Sequence, residues 1–494
     1  MKKTAYIFIF LGLSTPAWVL GQSDADALRY SQTSLTGTAR FVSMGGAFGA
    51  LGADFSALSY NPAGIGLYRK SEFTFTPSLY TEQTTSYFQG QSGINDKSNF
   101  NFGDIGFVFA KPLSRDNATE GWKSLNFAIG YNRLNNFHTR SFYEGVNKNN
   151  SYLDYLVQGA NNNGAGTPPS SLDPFYQNLA YQTYLINNPD TDRPNLYTGV
   201  IPAGGELQRR ISETRGSVGE MVLSLGSNYS NRVYIGGAMG IDFLHYEENT
   251  SYQEIDKNNS IFDFNNFNLQ QNIYTSGVGI NFKFGMIYRA TDWMRIGAAI
   301  HTPTWYSMHD DYNNTMYSNF DNGDSYAFGS PFGSYDYSLT TPFKAIGSLA
   351  FVIGKQGLIS ADYEYLDYSN MHFSDYYSSF TDVNNQIRYT YSSAGNIKVG
   401  GEWRFADIFA IRGGYGYYGS PFTSGYAVTG ADQSMSTYSG GLGLREASYF
   451  IDFAYAYSVS HNYLQLYSLA DQSVPGAINK VQTNNFMLTF GFRF

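Results

Sequence analysis

Apolar and polar side chains alternate along much of the chain, and the last eleven residues, NNFMLTFGFRF, show this pattern most clearly. One alternate set is Phe486, Leu488, Phe490, Phe492 and Phe494, and the other is Thr489, Gly491 and Arg493. Successive side chains of a β-strand point to opposite faces of its sheet. The segment is therefore predicted to be a strand with one apolar face and one polar face.

Fourteen segments carry this alternation: 72–88, 99–112, 122–143, 217–229, 232–255, 267–290, 293–318, 335–354, 357–375, 394–405, 408–420, 433–445, 448–467 and 481–494. Connections of two residues, such as 230–231 and 406–407, alternate with loops of about ten to more than seventy residues, and 113–121 is the exception. Short turns on one side and long loops on the other are typical of outer-membrane barrels. We predict an all-β fold, a 14-stranded antiparallel transmembrane β-barrel over residues 71–494, with a soluble β-sandwich as the alternative.

Residues 22–70 lack the alternation and are rich in glycine and alanine. Side chains fill an eight-stranded barrel, whereas sixteen to eighteen strands leave an aqueous channel. A barrel of intermediate width needs an occupant, so residues 22–70 are predicted to be an N-terminal hatch, or plug, inside the lumen. The turn Asn61-Pro62-Ala63-Gly64 ends this segment before the first strand.

The N-terminal residues have the pattern of a signal peptide. Lys2 and Lys3 precede an apolar run over 6–13, and a small-residue cleavage site follows at Val19-Leu20-Gly21. Residues 1–21 are therefore predicted to direct export, because a membrane anchor of this length is too short to span. Later in the chain there is no run of about eighteen apolar residues of the kind a membrane helix requires.

Composition narrows the possible functions. Aromatic residues make up 17% and charged residues 14%, which suits a barrel whose outer face contacts outer-membrane lipid. The net charge of −9 argues against nucleic acid as a partner, and the absence of cysteine excludes disulfides and thiolate chemistry. The six histidines lack paired spacing, so we predict no metal site, no cofactor and no catalytic residue. Charges on the polar strand faces are predicted to pair with one another in the lumen: Lys283, Arg295, Lys344, Asp362, Glu364, Lys398, Glu402, Arg404, Arg412 and Asp452.

The third segment loses its alternation part-way along. The face that carries Phe127, Ile129 and Tyr131 continues with Arg133 and Asn135. Arginine facing lipid at the bilayer midplane costs about 2–4 kcal/mol. Either a bulge turns these two residues into a lateral opening of the wall, or the strand has already left the bilayer at Arg133. Both interpretations remain open.

The longest predicted outer loop covers residues 144–216. It contains two amphipathic helical pieces, 152–158 and 174–186, the second with Asp173 as its N-cap. Five apolar or aromatic residues of these pieces are predicted to form a substrate-collecting surface: Leu153, Leu156, Phe175, Leu179 and Tyr184. The alternative is a loop that covers the barrel and has a small core of its own.

The run GGAFGALGADFSALSYNPAGIGLY (45–68), followed directly by a barrel, resembles the hatch of the FadL/TodX family of outer-membrane transporters. That family carries long-chain fatty acids and other hydrophobic compounds, and its hatch contains an Asn-Pro-Ala motif. RIGAAIHTPTWY (295–306) and GLISADYEYLDYS (357–369) are similar to Bacteroidetes-type members.

The resemblance implies passive uptake of hydrophobic small molecules by a monomer. Substrate would land between the outer loops, enter a pocket above the hatch and leave sideways beside a kinked third strand, which the Asn-Pro-Ala turn helps to hold open. Terminal Phe494 resembles the signal by which the outer-membrane insertion machinery recognises its clients. The alternatives are a weakly selective porin and a surface protein that binds haem or a host ligand through its long outer loops.

Overall fold

The computed structural model describes residues 22–113, 120–190, 192–202, 204–376, 378–405 and 408–494. The predicted signal peptide, residues 1–21, and the predicted turn at 406–407 lie outside these residues.

Fourteen strands build the wall. They are β1 Glu72–Phe88, β2 Gln91–Pro112, β3 Trp122–Asn136 continued by Thr139–Asn147, β4 Glu206–Tyr229, β5 Val233–Ile255, β6 Asn266–Arg289, β7 Met294–His301 continued by Trp305–Asn319, β8 Gly333–Thr340 continued by Lys344–Ile353, β9 Gly357–Asp367, β10 Ser393–Arg404, β11 Phe409–Tyr418, β12 Met435–Arg445, β13 Tyr449–Leu464 and β14 Ala477–Arg493. Ser325–Gly329 pairs with β7, His372–Ser374 pairs with β8, and a small hairpin joins Ile186–Asn187 to Thr198–Gly199.

The strands form a closed antiparallel barrel. Each strand pairs with its neighbour in sequence, and β14 returns to β1 with a register that runs from Glu72↔Arg493 to Tyr87↔Ile478. The predicted 14-stranded barrel is therefore confirmed. Closure leaves no free sheet edge at the joint between the first and last strands.

The two faces of the wall differ as the alternation predicts. On β6, Ile280, Phe282 and Phe284 are exposed, whereas the intervening Asn281 and Lys283 are buried. Because the barrel is closed, the exposed apolar face is the outer one and the buried polar face is the inner one.

The first outer connection differs from the prediction. The sequence pattern suggests a loop over 89–98, but β2 begins at Gln91 and joins β1 through a two-residue turn at Gln89 and Gly90. Both turn residues have positive φ, 48° and 79°, as a type I′ hairpin turn requires. The polar residues 91–98 form a strand because they pair with β1 along its whole length.

Five helices accompany the barrel: α1 Asp24–Ser31, α2 Ala39–Ser43, α3 Tyr152–Asn161, α4 Gln177–Gln182 and α5 Thr381–Thr390. Short 3₁₀ helices include Ser56–Ser59 and Pro62–Leu67. Among the described residues, no helix has the length and apolar character needed to cross a membrane.

The helices of the long outer loop differ in how well they match the prediction. Ser151 caps α3 and forms a capping box with Asp154, so this helix begins where expected. Asp173 accepts hydrogen bonds from the N–H groups of Phe175 and Tyr176 at 2.8 and 3.1 Å. The second helix nevertheless starts only at Gln177, because the backbone of Tyr176 is not helical (φ −136°, ψ −70°).

Candidate functional site

Residues 22–70, called here the N-terminal segment, contact inward-facing groups on several sides of the barrel. Most of this segment is buried. Its hydrogen bonds reach strands on three sides of the barrel: Ser56 to Asn132 of β3, Ala39 to Thr489 of β14, and Gly49 to Asp362 and Arg40 to Glu402 of the neighbouring strands β9 and β10. A single chain segment makes contacts in these directions only if strands surround it.

Glycines of the wall allow the segment to approach closely. At Gly297 of β7, a Cβ atom would lie 2.2 Å from the carbonyl oxygen of Gly49. We call wall glycines the positions at which an added Cβ atom would lie less than 3.0 Å from an atom of the N-terminal segment. They are Gly103, Gly106, Gly130, Gly226, Gly236, Gly285, Gly297, Gly400, Gly414 and Gly441. Glycine inside a strand often marks such an approach. These contacts were not predicted from the sequence, although isolated glycines within the predicted strands were the available signal.

The Asn-Pro-Ala turn fastens the segment to itself and to the wall. The Asn61 side chain is 1% exposed, and its Nδ2 donates to the Gly49 carbonyl oxygen at 2.6 Å. Its Oδ1 accepts from the Ala63 N–H at 3.1 Å, and Pro62 occupies the first position of a 3₁₀ helix. The same Nδ2 lies 3.4 Å from the carbonyl oxygen of Ala298 in β7. Gly64 packs against the backbone of Gly52, where a Cβ would clash at 2.9 Å.

A cavity, called here the inner cavity, separates part of the segment from the wall. It encloses about 1010 Å³ of space, part of which is open to solvent. Tyr30, Leu35, Phe41 and Leu134 supply apolar lining, and the inner faces of β4 to β11 supply polar lining. The cavity is thus amphipathic, with an apolar side and a charged side.

The charged side of the inner cavity is mostly paired. Lys283 contacts Glu220, and Lys398 Nζ lies 3.5 Å from Glu364 Oε2. Lys344 also lines the cavity, and within the described residues no carboxylate lies within 4.0 Å of its ammonium group. Lys344 is therefore available to an anionic group inside the cavity.

The wall has a seam between β2 and β3. Backbone pairing between these strands covers Asp104↔Asn132 to Pro112↔Ser124 and does not extend further outward, although both strands continue. Arg133 Nε donates to the Phe102 carbonyl oxygen at 3.2 Å, and Asn136 Nδ2 to Asn99 Oδ1 at 3.4 Å. Between the described residues of the two strands, side chains thus replace the backbone ladder.

A bulge accompanies the seam. The register of β3 against β4 shifts between Arg133 and Asn135, and the intervening Leu134 packs against a buried apolar cluster. The structure therefore contains a bulge at this point, and a lateral opening at Arg133 and Asn135 stays a prediction. Arg133 and Leu134 both line the inner cavity, so the cavity reaches the seam.

The N-terminal segment contacts the same bulge. Ser34 N donates to the Leu134 carbonyl oxygen at 2.9 Å, and Asn135 Nδ2 donates to the Gln32 carbonyl oxygen at 3.1 Å. The structure thus brings Arg133 and Asn135 together with residues 32–36, which the sequence analysis did not single out. The Asn-Pro-Ala turn lies elsewhere, against β5, β6 and β7.

The outer-loop residues fall into two groups. Leu153, Leu156 and Leu179 are 0–1% exposed and form part of a core that the loop shares with strand residues such as Tyr252 and Phe267. Neighbouring side chains cover these three residues, so they offer no accessible surface in this structure. Tyr184 is 52% exposed and Phe175 is half-buried, so of the five predicted residues these two keep accessible surface.

Phe175 belongs to a second, outer cavity of about 700 Å³, which also contains Asp173, Tyr176 and Tyr312. The rings of Phe175 and Tyr312 lie with their centroids 5.0 Å apart. Burial raises the pKa of Tyr176 to about 12, so its phenol is protonated at neutral pH. The outer cavity therefore offers aromatic surface beside charged side chains, namely Asp173 and the paired Arg210 and Glu248.

In the part of the chain that the structure describes, no three His, Asp or Glu side chains are grouped to hold a metal ion.

Solved structures share this architecture. A FadL homologue from Pseudomonas aeruginosa aligns with a TM-score of 0.58 at 13% identity, over 94% of this chain and 100% of that chain. The toluene transporter TodX from Pseudomonas putida aligns with a TM-score of 0.52 at 12% identity, over 94% of this chain and 100% of that chain. The toluene transporter TbuX from Ralstonia pickettii aligns with a TM-score of 0.51 at 15% identity, over 93% of this chain and 99% of that chain.

The protein has the fold of the FadL and TodX transporters. The resemblance drawn from the sequence is thus confirmed at the level of the fold. No protein-family model matches the sequence, and no curated protein matches it. Because the identities are low, the FadL fold sets the architecture, and the geometry of the cavities and the seam carries the functional argument.

Proposed function

We propose that this protein is an outer-membrane channel for the passive uptake of hydrophobic small molecules, such as long-chain fatty acids or aromatic hydrocarbons. The observation that carries the proposal is the continuity between the amphipathic inner cavity and the seam beside β3. The FadL fold and the toluene transporters that share it are consistent with such a substrate class.

In the proposed route, substrate first contacts the outer loops. Phe175 and Tyr184 offer accessible aromatic surface there, and the outer cavity lies beside Phe175. The substrate then occupies the inner cavity, where its chain contacts Tyr30, Leu35 and Phe41. It leaves sideways through the seam, where only side-chain hydrogen bonds have to break.

The N-terminal segment acts as the hatch in this proposal. Asn61 fastens one part of it to β6 and β7, and residues 32–36 hold the bulge of β3. The turn thereby acts on the seam indirectly, through the segment that it anchors. A hatch held in this way blocks a straight aqueous path and leaves the lateral one.

Export and insertion complete the proposal. Residues 1–21 act as a signal peptide, and Phe494, which is 68% exposed, is accessible to the outer-membrane insertion machinery. The short-turn side, where both ends of the barrel domain lie, then faces the periplasm.

Uptake of labelled oleate tests this function. The protein is expressed in a Gram-negative host that lacks its own fatty-acid transporter, and an equal amount of an unrelated barrel serves as the control. We expect oleate uptake well above the control, whereas liposomes that contain the purified protein should not swell in sugar solutions. Rapid swelling without oleate uptake would identify a porin and contradict the proposal.

A further inference from the structure

A vestibule at the short-turn end of the barrel is strongly cationic. It lies between residues 51–53 of the N-terminal segment and the ends of several strands, and it encloses about 2160 Å³ including its open mouth. Eight of its lining side chains are Arg or Lys, and Glu402 is the single carboxylate among the described lining residues. The whole chain carries a net charge of −9, so the excess of positive charge in this vestibule does not follow from the overall composition.

Four of the eight cations have carboxylate partners close by. Glu402 accepts from Arg40 and Arg404 at 2.9 and 3.1 Å, Glu72 accepts from Arg493 at 2.8 Å, and Asp292 accepts from Arg289 at 2.8 Å. Arg445 lies 3.5 Å from Asp452, a carboxylate that already receives Arg412 at 2.6 Å. The carboxylates of this end are therefore shared among more guanidinium groups than they can neutralise.

Three cations lack a counter-charge in the described part of the chain. Arg69, Arg295 and Lys355 have no carboxylate within 4.0 Å. Arg295 donates to the Leu51 carbonyl oxygen at 3.2 Å, while its Nε is buried with no partner, as is the Nε of Arg445. Like charges gathered in one concave space raise the local potential and attract anions.

We propose that this vestibule is an oxyanion-binding site that accepts a carboxylate or phosphate group from the short-turn side. Arginine suits this ligand class because its planar fork donates two parallel hydrogen bonds to such groups. Arg295, from the start of β7, supplies the central fork, and Arg69 and Lys355 supply charge at the mouth. The space is large enough to admit an oxyanion carried by a larger molecule. This site is separate from the proposed transport route.

Titration calorimetry of the purified protein with inorganic phosphate, in uncharged detergent, tests the site without any transport. We expect saturable binding that weakens as sodium chloride is added. Arg295→Gln should raise the Kd roughly tenfold, which corresponds to about 1.4 kcal/mol. The matched control is Arg193→Gln in the outer loop, where an exposed arginine pairs with Asp190 at 2.7 Å, and it should leave the Kd unchanged.

Two surface variants keep the test usable if Arg295→Gln does not fold. Arg69→Gln and Lys355→Gln replace exposed side chains at the mouth, and each should raise the Kd a few-fold. Heat-modifiable migration on gels verifies that each barrel is folded. Equal weakening by Arg193→Gln would refute the site, as would unchanged affinity in both mouth variants.

A second titration with octanoate distinguishes the source of the oxyanion. Tighter binding of phosphate assigns the vestibule to phosphate groups, whereas octanoate that binds as tightly and displaces phosphate assigns it to the carboxylate end of an amphiphile. Either result supports an oxyanion site, and binding of neither ligand overturns it.

Discussion

Two interruptions of the barrel wall in the described part of the chain differ in what replaces the missing backbone hydrogen bonds. One is the seam between β2 and β3. The other, called here the proline break, lies between β7 and β8, where Thr302-Pro303-Thr304 faces Thr341-Pro342-Phe343. Proline has no N–H to donate to the ladder, which explains why both strands are interrupted at the same level.

The proline break is repaired locally. Thr341 N donates to the Thr304 carbonyl oxygen at 3.1 Å, and Thr304 N donates to Thr341 Oγ1 at 2.8 Å. Regular pairing resumes at once with Trp305↔Thr340. At the seam, backbone pairing between β2 and β3 ends at Asp104↔Asn132 and does not resume. An interrupted strand is therefore not by itself an opening, and a lateral path requires a lasting loss of pairing.

The largest expected effect comes from locking each interruption in turn. The chain has no cysteine, so introduced pairs react alone. A reductant-cleavable bis-maleimide across Asn99→Cys and Asn136→Cys should reduce oleate uptake at least about tenfold, and cleavage should restore it. The same linker across Ser307→Cys and Ser338→Cys, an exposed and paired position just beyond the proline break, should leave uptake close to that of the uncross-linked variant. Equal loss in both pairs would remove the distinction between the interruptions.

A methyl group at a wall glycine should displace the N-terminal segment, which is the proposed hatch. Gly297→Ala places a Cβ 2.2 Å from the Gly49 carbonyl oxygen, and such overpacking costs about 1–3 kcal/mol. We expect a several-fold loss of oleate uptake and a rise in ion conductance in planar bilayers. Gly347→Ala is the matched control, because no atom lies within 4 Å of its Cβ position.

Asn61→Ala should loosen the same hatch more gently. It removes the bond to Gly49 and leaves a buried carbonyl without its partner, at a cost of about 1–3 kcal/mol. Oleate uptake should fall a few-fold and the unfolding midpoint in denaturant should decrease. Asn313→Ala removes an exposed asparagine hydrogen bond at 3.2 Å and should change neither quantity. Normal uptake by a correctly folded Asn61→Ala barrel would argue against the anchoring role.

Lys344 directly follows the proline break and lines the inner cavity. Its replacement tests whether this part of the wall contacts the charged group of the substrate. Lys344→Met should reduce uptake of oleate about two- to fivefold, because it removes one partly solvated charge contact. Uptake of neutral toluene should be unchanged. Lys257→Met, at an exposed lysine of an outer connection, should affect neither substrate. Equal losses for both substrates would show that Lys344 acts on the barrel rather than on the carboxylate.

Pro342→Ala should have the smallest effect. The restored N–H can form a hydrogen bond, which adds about 0.5–1.5 kcal/mol to the free energy of unfolding. Loss of the proline makes the unfolded chain more flexible, which subtracts about 0.4–1 kcal/mol. Uptake and the unfolding midpoint should both stay close to those of the unaltered protein. A strong rise in uptake would show that the proline break is a second opening.

The barrel could be predicted closely because its signal is local. Each wall strand alternates between lipid on one side and polar groups on the other, so residues such as Phe282 and Lys283 reveal their faces without knowledge of their neighbours. The bulge at Arg133 also left a local trace, because it breaks the alternation. The strand over 91–98 left none, since its polar residues pair with β1 in a part of the barrel where neither face needs to be apolar.

The sequence by itself thus determined the number of wall strands, the two faces of the wall and the turn at Asn61-Pro62. Only the tertiary structure decided which residues meet: residues 32–36 at the β3 bulge, Gly49 beneath Gly297, and Arg69, Arg295 and Lys355 in one vestibule. The physical reason is that alternation records the environment of each residue separately. Contacts between the N-terminal segment and distant strands depend on barrel closure and register, which no local pattern encodes.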